Sequence, residues 1–343
     1  MIKLYSPNTK VPCFLYKAAE KLGFLTNNCL EADFLLLPFK YEIIHDFSEV
    51  ELHKEGITND DLPELRLIAA EMDKLSVQLQ KKMILFFYRD STIALPFRNA
   101  LIFRTSTFVS ANRYGEYGMP AFIDDFGPDL GFTITNWKQK PSVSFRGSCA
   151  PLQLPLSIRL RLATNLIFQH LKFPYRVKNY YNDGYLLRRR AILSILKSQE
   201  FFEADFSLNK PNQFSDLSKK NYLKSLRSND YFICTSGQGN YSFRLYEIMQ
   251  AGRIPVFIQT DSLLPVLDEI PWRKLTVWIE ASEVKHTAEK ILHFHHSLKK
   301  DEFIELQRTI RFIWEKYLCY EGFSNYLLFQ FLPLMKVELK ETG

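Results

Sequence analysis

The sequence predicts an α/β protein in two domains, and three observations carry that expectation. Short apolar runs alternate with amphipathic helical patterns along most of the chain, the rhythm of parallel strands covered by helices. At 343 residues the chain is long for one core and suits two units of roughly 100 to 200 residues each. One stretch, 229–260 (NDYFICTSGQGNYSFRLYEIMQAGRIPVFIQT), spells strand, turn, helix and strand in succession.

Taken in order, Ile2 to Tyr5 reads as a first short strand and Phe14 to Leu22 as a helix. Phe34 to Leu37 is an apolar run stopped by Pro38, as a buried strand would be. Pro63 suits a first helical turn, and apolar residues at 65, 67, 68, 72, 75 and 79 carry an amphipathic helix to Gln80. Met83 to Tyr88 and Ala100 to Arg104 are two further strands. From Ser106 to Phe132 periodicity gives way to Gly, Pro, Asn and Asp, the composition of a long irregular loop of the functional kind. Pro141 to Phe145 is a strand, and Pro155 opens a helix through Arg159 and Arg161 to about His170. The expected domains are therefore 1–153 and 154–343, with the last helix able to pack back on the first domain.

In the second half, helices are expected over Leu186 to Ser198, with Arg188 to Arg190 on a solvated face, and over Leu217 to Leu226. Tyr231 to Cys234 and Ile254 to Ile258 flank the central helix at 243–251, for which Ser242 is a good N-cap and Gly252 a left-handed C-terminal residue. Leu275 to Ile279 is a strand. Val284 to Leu298 and Asp301 to Tyr317 are helices, the latter extending towards Leu334.

Composition excludes several classes. Hydrophobic residues at 46% and charged residues at 24% describe an ordinary soluble domain. A net charge of +6 is dilute, and the 17 Tyr and 29 Phe are spread through strands and helices without a basic stripe, so no nucleic-acid partner is expected. Five cysteines without C-x-x-C spacing read as reduced thiols of a cytoplasmic protein. No apolar run reaches the ~18 residues of a membrane span, which leaves room only for a peripheral membrane contact. His293, His295 and His296 lack a nearby Cys or carboxylate cluster and read as a solvated helix face, so no metal is expected.

The chemistry concentrates in TSGQGNYSFR. Gly237 and Gly239 let backbone approach a ligand, and the following helix start offers N–H groups and a positive dipole end to an anion. Arg244 in the first turn works against that dipole unless both serve one anion, such as a diphosphate. Glu247, three residues on, shares its flank and could take ribose hydroxyls or simply pair with Arg244. Gly237 to Ser242 also approximates G-x-G-x-x-G, with Asp261 beyond the next strand, which keeps an NAD(P)-binding Rossmann enzyme as an alternative. No Walker A lysine is present.

The run from Tyr222 to Ile279 closely resembles the exostosin family of glycosyltransferases, family 47. Cys234, Gly237, Ser242, Arg244, Glu247, Gly252, Ile254-Pro255-Val256, Asp261, Leu264-Pro265, Asp268 and Trp272 follow the family's order, and Ala32-Asp33-Phe34 to Pro38 and Ser144-Phe145-Arg146-Gly147 resemble its upstream segments. The resemblance implies a GT-B architecture: two Rossmann-like domains facing across a cleft, the donor on the C-terminal one and a glycan or glycoconjugate acceptor on the N-terminal one. It implies inverting transfer from a nucleoside-diphosphate sugar, UDP-linked, without cofactor or metal. Arg244 and Arg159 would contact the diphosphate, Glu247 the ribose, and Gly237, Gln238, Gly239, Asn240 and Ser242 the phosphates. Ser236 stands where members often carry Arg. Eukaryotic members carry an N-terminal membrane helix that these residues lack, so a cytoplasmic enzyme is expected. The base would come from the N-terminal domain: Asp125 or Glu116 first, because their loop should overhang the cleft, with Asp124 and Asp90 behind them. A non-catalytic nucleotide or glycan binder of the same fold is the other alternative.

Overall fold

The computed structural model describes residues 1–124, 126, 131–153, 184–209, 216–237 and 239–341. They form two parallel sheets. The first comprises β1 (Leu4–Tyr5), β2 (Leu25–Thr26), β3 (Phe34–Leu36), β4 (Met83–Phe87), β5 (Ala100–Arg104) and β6 (Glu116–Gly118), in the spatial order β2-β1-β3-β4-β5-β6. The second comprises β7 (Ser142–Ser148), β8 (Glu203–Asn209), β9 (Tyr231–Cys234), β10 (Ile254–Gln259) and β11 (Val277–Glu280), in the order β11-β10-β9-β7-β8. Two parallel α/β sheets give the GT-B arrangement.

Alternation along each strand explains how the first sheet is covered. Leu35, Met83, Leu85 and Phe87 enter one apolar cluster with Leu65, Ala69 and Met72 of α2 (Leu62–Gln78). Phe34, Ile84, Phe86 and Phe103 point to the other face and join a cluster that runs on into the second domain. A period of two thus sends neighbouring residues to opposite cores, as parallel strands buried on both faces require.

The chain leaves the first sheet after Gly118 and enters the second at Ser142. β7, which the expected boundary at 153/154 assigned to the first domain, therefore pairs with β8 and β9 in the second. Its pattern looks like any other buried strand, and only its partners reveal the exchange. The expected helix at 155–170, with Arg159, lies outside the described residues, as do Asp125 and Gln238. Strands β2, β6 and β8 had no clear apolar signal: β2 and β6 span two and three residues, and β8 reads EADFSLN with polar residues interleaved.

Second-domain helices include α3 (Gly184–Lys197), α4 (Asp216–Ser228), α5 (Phe243–Gln250), α6 (Thr287–Ser297) and α7 (Lys300–Ile313). Two C-terminal helices, α8 (Tyr320–Tyr326) and α9 (Leu332–Glu341), return to the first domain. There Phe323 packs edge-on to Phe103 with centroids 6.0 Å apart, Phe329 on Phe24 at 5.2 Å, and Lys336 pairs with Asp33 at 2.7 Å. No described helix is long and apolar enough to cross a membrane.

The carboxyl edges of the two sheets are stitched together. Asn240 donates to the Thr107 carbonyl at 3.1 Å, its amide N–H donates to Ser106 Oγ at 3.0 Å, and Leu263 N–H donates to the Thr107 carbonyl at 3.2 Å. Asp261, in a left-handed conformation at φ 63°, accepts from the Ser110 hydroxyl and N–H. Gly118 packs so tightly that an added Cβ would lie 2.9 Å from the Leu263 carbonyl oxygen.

Candidate functional site

The second sheet changes its direction of growth at β7, with β8 added on one side and β9 on the other. Loops leave adjacent strands in opposite directions at such a point and open a crevice beyond their carboxyl ends. A cavity of about 350 Å³ fills it. Its walls are the end of β7 (Phe145, Arg146), the start of α3 (Tyr185, Arg188), the turn after β9 and the first turn of α5. Three arginines, Arg146, Arg188 and Arg244, therefore meet around one opening.

Each arginine is aimed by a neighbour. The Arg244 guanidinium lies 4.0 Å from the centroid of the Tyr222 ring, and its Nε sits 3.6 Å from Glu247 Oε2. Glu247 in turn accepts from the Tyr222 hydroxyl at 2.9 Å, a phenol that burial keeps protonated. Arg146 donates to both oxygens of Asp205 at 2.6 and 2.8 Å. Burial pushes the Asp205 carboxyl up, but Arg146 and the Ser225 hydroxyl outweigh it and hold the pKa below its ordinary value. Arg188 donates to the carbonyls of Ser148 and Ser236 at 3.0 and 2.9 Å, and a Cβ on Gly184 would lie 2.3 Å from that Ser236 carbonyl. Glycine at 184 is thus what lets α3 bring Arg188 against the turn.

The turn itself is built differently from the expectation. Gly237 N–H donates to the Tyr241 carbonyl at 2.8 Å and Asn240 N–H to Ser106, so neither amide is offered to a ligand. The Asn240 side chain is likewise committed, donating to Thr107 O and accepting from Thr260 Oγ1 at 2.9 Å. Gly239 makes room for the other domain: an added Cβ would lie 2.7 Å from an Asp90 carboxylate oxygen. Ser242 occupies the N-cap position but makes no capping bond, which leaves its hydroxyl to the cavity it lines. Gly252 has the expected left-handed φ, 66°.

Asp90 is the one carboxylate on this cavity wall among the described residues, and it comes from the first domain. It follows β4 and is exposed. It hydrogen-bonds Tyr241, whose phenol is pushed up by burial first and by Asp90 second. Two residues earlier in the chain, Tyr88 faces a second and larger cavity of about 750 Å³ in the first domain. Phe243 borders both.

Residues 179–293 match the Exostosin GT47 domain. Over that stretch, about a third of the chain, the sequence is similar to the exostosin family. Over 104 residues the chain is 33% identical to a probable glucuronosyltransferase 47 A of Physcomitrium patens, covering 29% of this chain and 22% of that protein. Over 112 residues it is 30% identical to a probable beta-1,4-xylosyltransferase, IRX10, of Arabidopsis thaliana, covering 32% and 25%. The match thus spans about a quarter of the length of these curated relatives. A solved glycosyltransferase from Rickettsia africae aligns over 100% of this chain and 99% of its own at 11% identity, with a TM-score of 0.43.

Around the cavity and in the first domain, several expectations need correction. Glu116 does not overhang the cleft: it is 4% exposed and accepts from Arg104 at 2.9 and 3.0 Å and from Arg113 at 3.2 Å. Both of its oxygens are committed to guanidiniums, one of them fully buried, and it lies away from the cavity wall. Glu247 is absent from the cavity wall and serves to hold Arg244 and Tyr222. Asp261 is taken by Ser110, which removes the ribose-binding acid of the NAD(P) alternative. His295 is buried, hydrogen-bonded to the Tyr231 hydroxyl at 2.9 Å and the Lys138 carbonyl at 2.7 Å, not on a solvated face. Trp272 is core, its indole N–H donating to the Pro265 carbonyl at 3.1 Å.

The residues that sequence reasoning missed are Arg188, Tyr185 and Arg146 as wall groups. The available signals were faint. Arg146 sits at the end of a strand, and Arg188 follows Gly184 at a helix start, where a solvated charge is the commoner outcome.

Proposed function

We propose that this protein is a glycosyltransferase that moves a sugar from a nucleoside-diphosphate sugar to a hydroxyl acceptor with inversion at the anomeric carbon. The observation that carries the reading is the convergence of Arg146, Arg188, Arg244 and the α5 N-terminus on a switch-point cavity faced by Asp90 from the opposite domain. A diphosphate leaving group gains negative charge as the glycosidic bond breaks. Preorganised guanidiniums and a helix start stabilise that charge without reorganising at the moment of reaction. They can fill the role a metal plays elsewhere, so we expect transfer without a bound metal.

Arg188 also answers the absence of arginine at 236. It binds the Ser236 carbonyl, so a cation from α3 stands beside the position where relatives often bring one along the turn. Inversion needs a base on the acceptor's side. Asp90 faces the donor cavity from the first domain, two residues after Tyr88 of the first-domain cavity, and takes that role in place of Glu116. The probable glucuronosyl- and xylosyltransferase names of the relatives suggest a glucuronosyl or xylosyl donor, and we take the nucleotide to be UDP.

The test is thermal-shift and calorimetric screening against UDP-, GDP- and CMP-sugars and NAD(P), followed by transfer or donor hydrolysis with and without a chelator. Binding of a UDP-sugar with chelator-resistant turnover is expected. Binding without turnover would favour a non-catalytic sugar-nucleotide binder, and NAD(P) binding alone would sink the reading.

A further inference from the structure

The first sheet has its own point of reversal. β2 lies on one side of β1 and β3 on the other, so a second crevice opens at the carboxyl edge between β1 and β3. The 750 Å³ cavity occupies it, walled by α1 (Phe14–Lys21), the residue Lys40 beyond β3, Tyr88 beyond β4 and the start of α8. Its chemistry divides cleanly by depth. The inner wall is apolar: Cys13, Phe86, Met119 and Phe122 are all buried. Beside that wall the Tyr88 O–H is committed to the Phe122 carbonyl at 2.9 Å, the Ser324 O–H to the Tyr320 carbonyl at 2.7 Å, and Lys40 is paired with Glu55 at 2.7 Å. A sugar pushed against that wall would lose its hydration and find no partners for its hydroxyls, a penalty that falls on every unpaired group.

The rim is different. Lys17 and Lys21, one turn apart on α1, are exposed at the mouth, with Glu321 and Asn325 opposite. Two lysines facing one carboxylate leave the mouth net positive. From these features we infer that this cavity holds the apolar, anionic carrier of the acceptor: a hydrocarbon or aromatic group inside, a phosphate or carboxylate on Lys17 and Lys21. The acceptor is then an amphiphilic glycoconjugate, and its hydroxyl reaches the donor past Phe243, which borders both cavities. The word acceptor rests on the transferase reading; the amphiphile site stands on the cavity alone.

The probe is decyl phosphate below its micellar concentration, titrated calorimetrically into the full chain beside decyl maltoside and inorganic phosphate. Decyl phosphate should bind saturably and at least about tenfold tighter than either control, since one charge-assisted contact and an apolar chain each contribute that much. Lys17→Glu with Lys21→Glu, both exposed, should erase the advantage over the maltoside. Ala18→Trp, which fills the cavity from α1, should abolish binding of both. Vesicles of neutral lipid doped with a long-chain prenyl phosphate form a parallel arm. Retention there as well as in solution marks a membrane-borne carrier, and solution binding alone marks a soluble one. Binding in neither arm, inorganic phosphate equalling decyl phosphate, or maltoside equalling it, overturns the inference. UDP titrated into the same samples reports the other cavity. Loss of UDP binding in wild type with decyl phosphate retained rejects the transferase reading and keeps the amphiphile site.

Discussion

Replacing Arg244 is the sharpest probe of the proposed chemistry, because its surroundings let the size of the effect be worked out. Its guanidinium is stacked 4.0 Å from the Tyr222 centroid and its side chain is 29% exposed, so it is preoriented and partly desolvated. A bidentate contact to a diphosphate comprises two charged hydrogen bonds at roughly 1.5–3 kcal/mol each. Arg244→Ala should therefore lower kcat/KM by about 10²–10⁴-fold. Arg244→Lys keeps the charge but loses the fork and much of the stack, and should retain one contact, falling by about 10- to 100-fold. Folding should hardly change. Glu247 keeps the Tyr222 hydroxyl as a donor when the arginine is gone, and a 3.6 Å ion pair between partly exposed groups contributes little. Steady-state transfer, with donor hydrolysis as a fallback and UDP affinity by calorimetry, separates the cases: loss concentrated in kcat marks transition-state stabilisation. A stable Arg244→Ala variant turning over within about threefold of wild type would refute the assignment, since even one charged contact to the leaving group should be worth about tenfold.

Asp90→Asn should lower turnover by about 10²–10⁴-fold, the usual worth of a general base, with UDP affinity unchanged; a normal rate moves the base elsewhere. Glu116→Gln strands Arg104, which is 0% exposed, and should lose about 3–5 kcal/mol in urea unfolding. A Glu116→Gln variant as stable as wild type yet inactive would restore Glu116 as the base. Burial lifts the Glu42 carboxyl from its ordinary 4.5 to about 7, against the pull of the Tyr88 N–H bond at 3.0 Å. Because its folded pKa lies above its unfolded one, its contribution is fully present below about pH 4.5 and is lost as pH rises through about 7, on the order of 3 kcal/mol. Glu42→Gln should flatten that slope in pH-dependent denaturation, and a wild-type profile already flat between those values would show the carboxyl is not desolvated.

Much of the fold could be read from local pattern. The apolar runs at 83–87, 100–104 and 231–234 became strands, and the amphipathic repeat over 62–78 became a helix, because a buried strand and a half-buried helix each impose their own period on neighbouring residues. The Gly252 stop and the Arg244 position were legible for the same reason. The site was only half legible. Arg244 and Ser242 line the cavity, while Glu247 stands behind the arginine and Asn240 joins the two domains.

Glu116 and Asp90 show where sequence reading ends. Both are acids near the ends of strands, and nothing local separates them. Pairing β6 against β5 buries Glu116 beside Arg104, whereas the stitched domains carry Asp90 to Gly239. Arg146, Arg188 and Arg244 meet for a similar reason, since parallel crossovers bring strand ends and helix starts from distant parts of the chain to one edge. The sequence by itself determined the elements, the glycine-rich turn and the arginine in the first helical turn after it, because periodicity and caps act over a few residues. Only the tertiary structure decided which strands share a sheet, which acid is free and which cations surround the cavity, because those depend on contacts that no local period records.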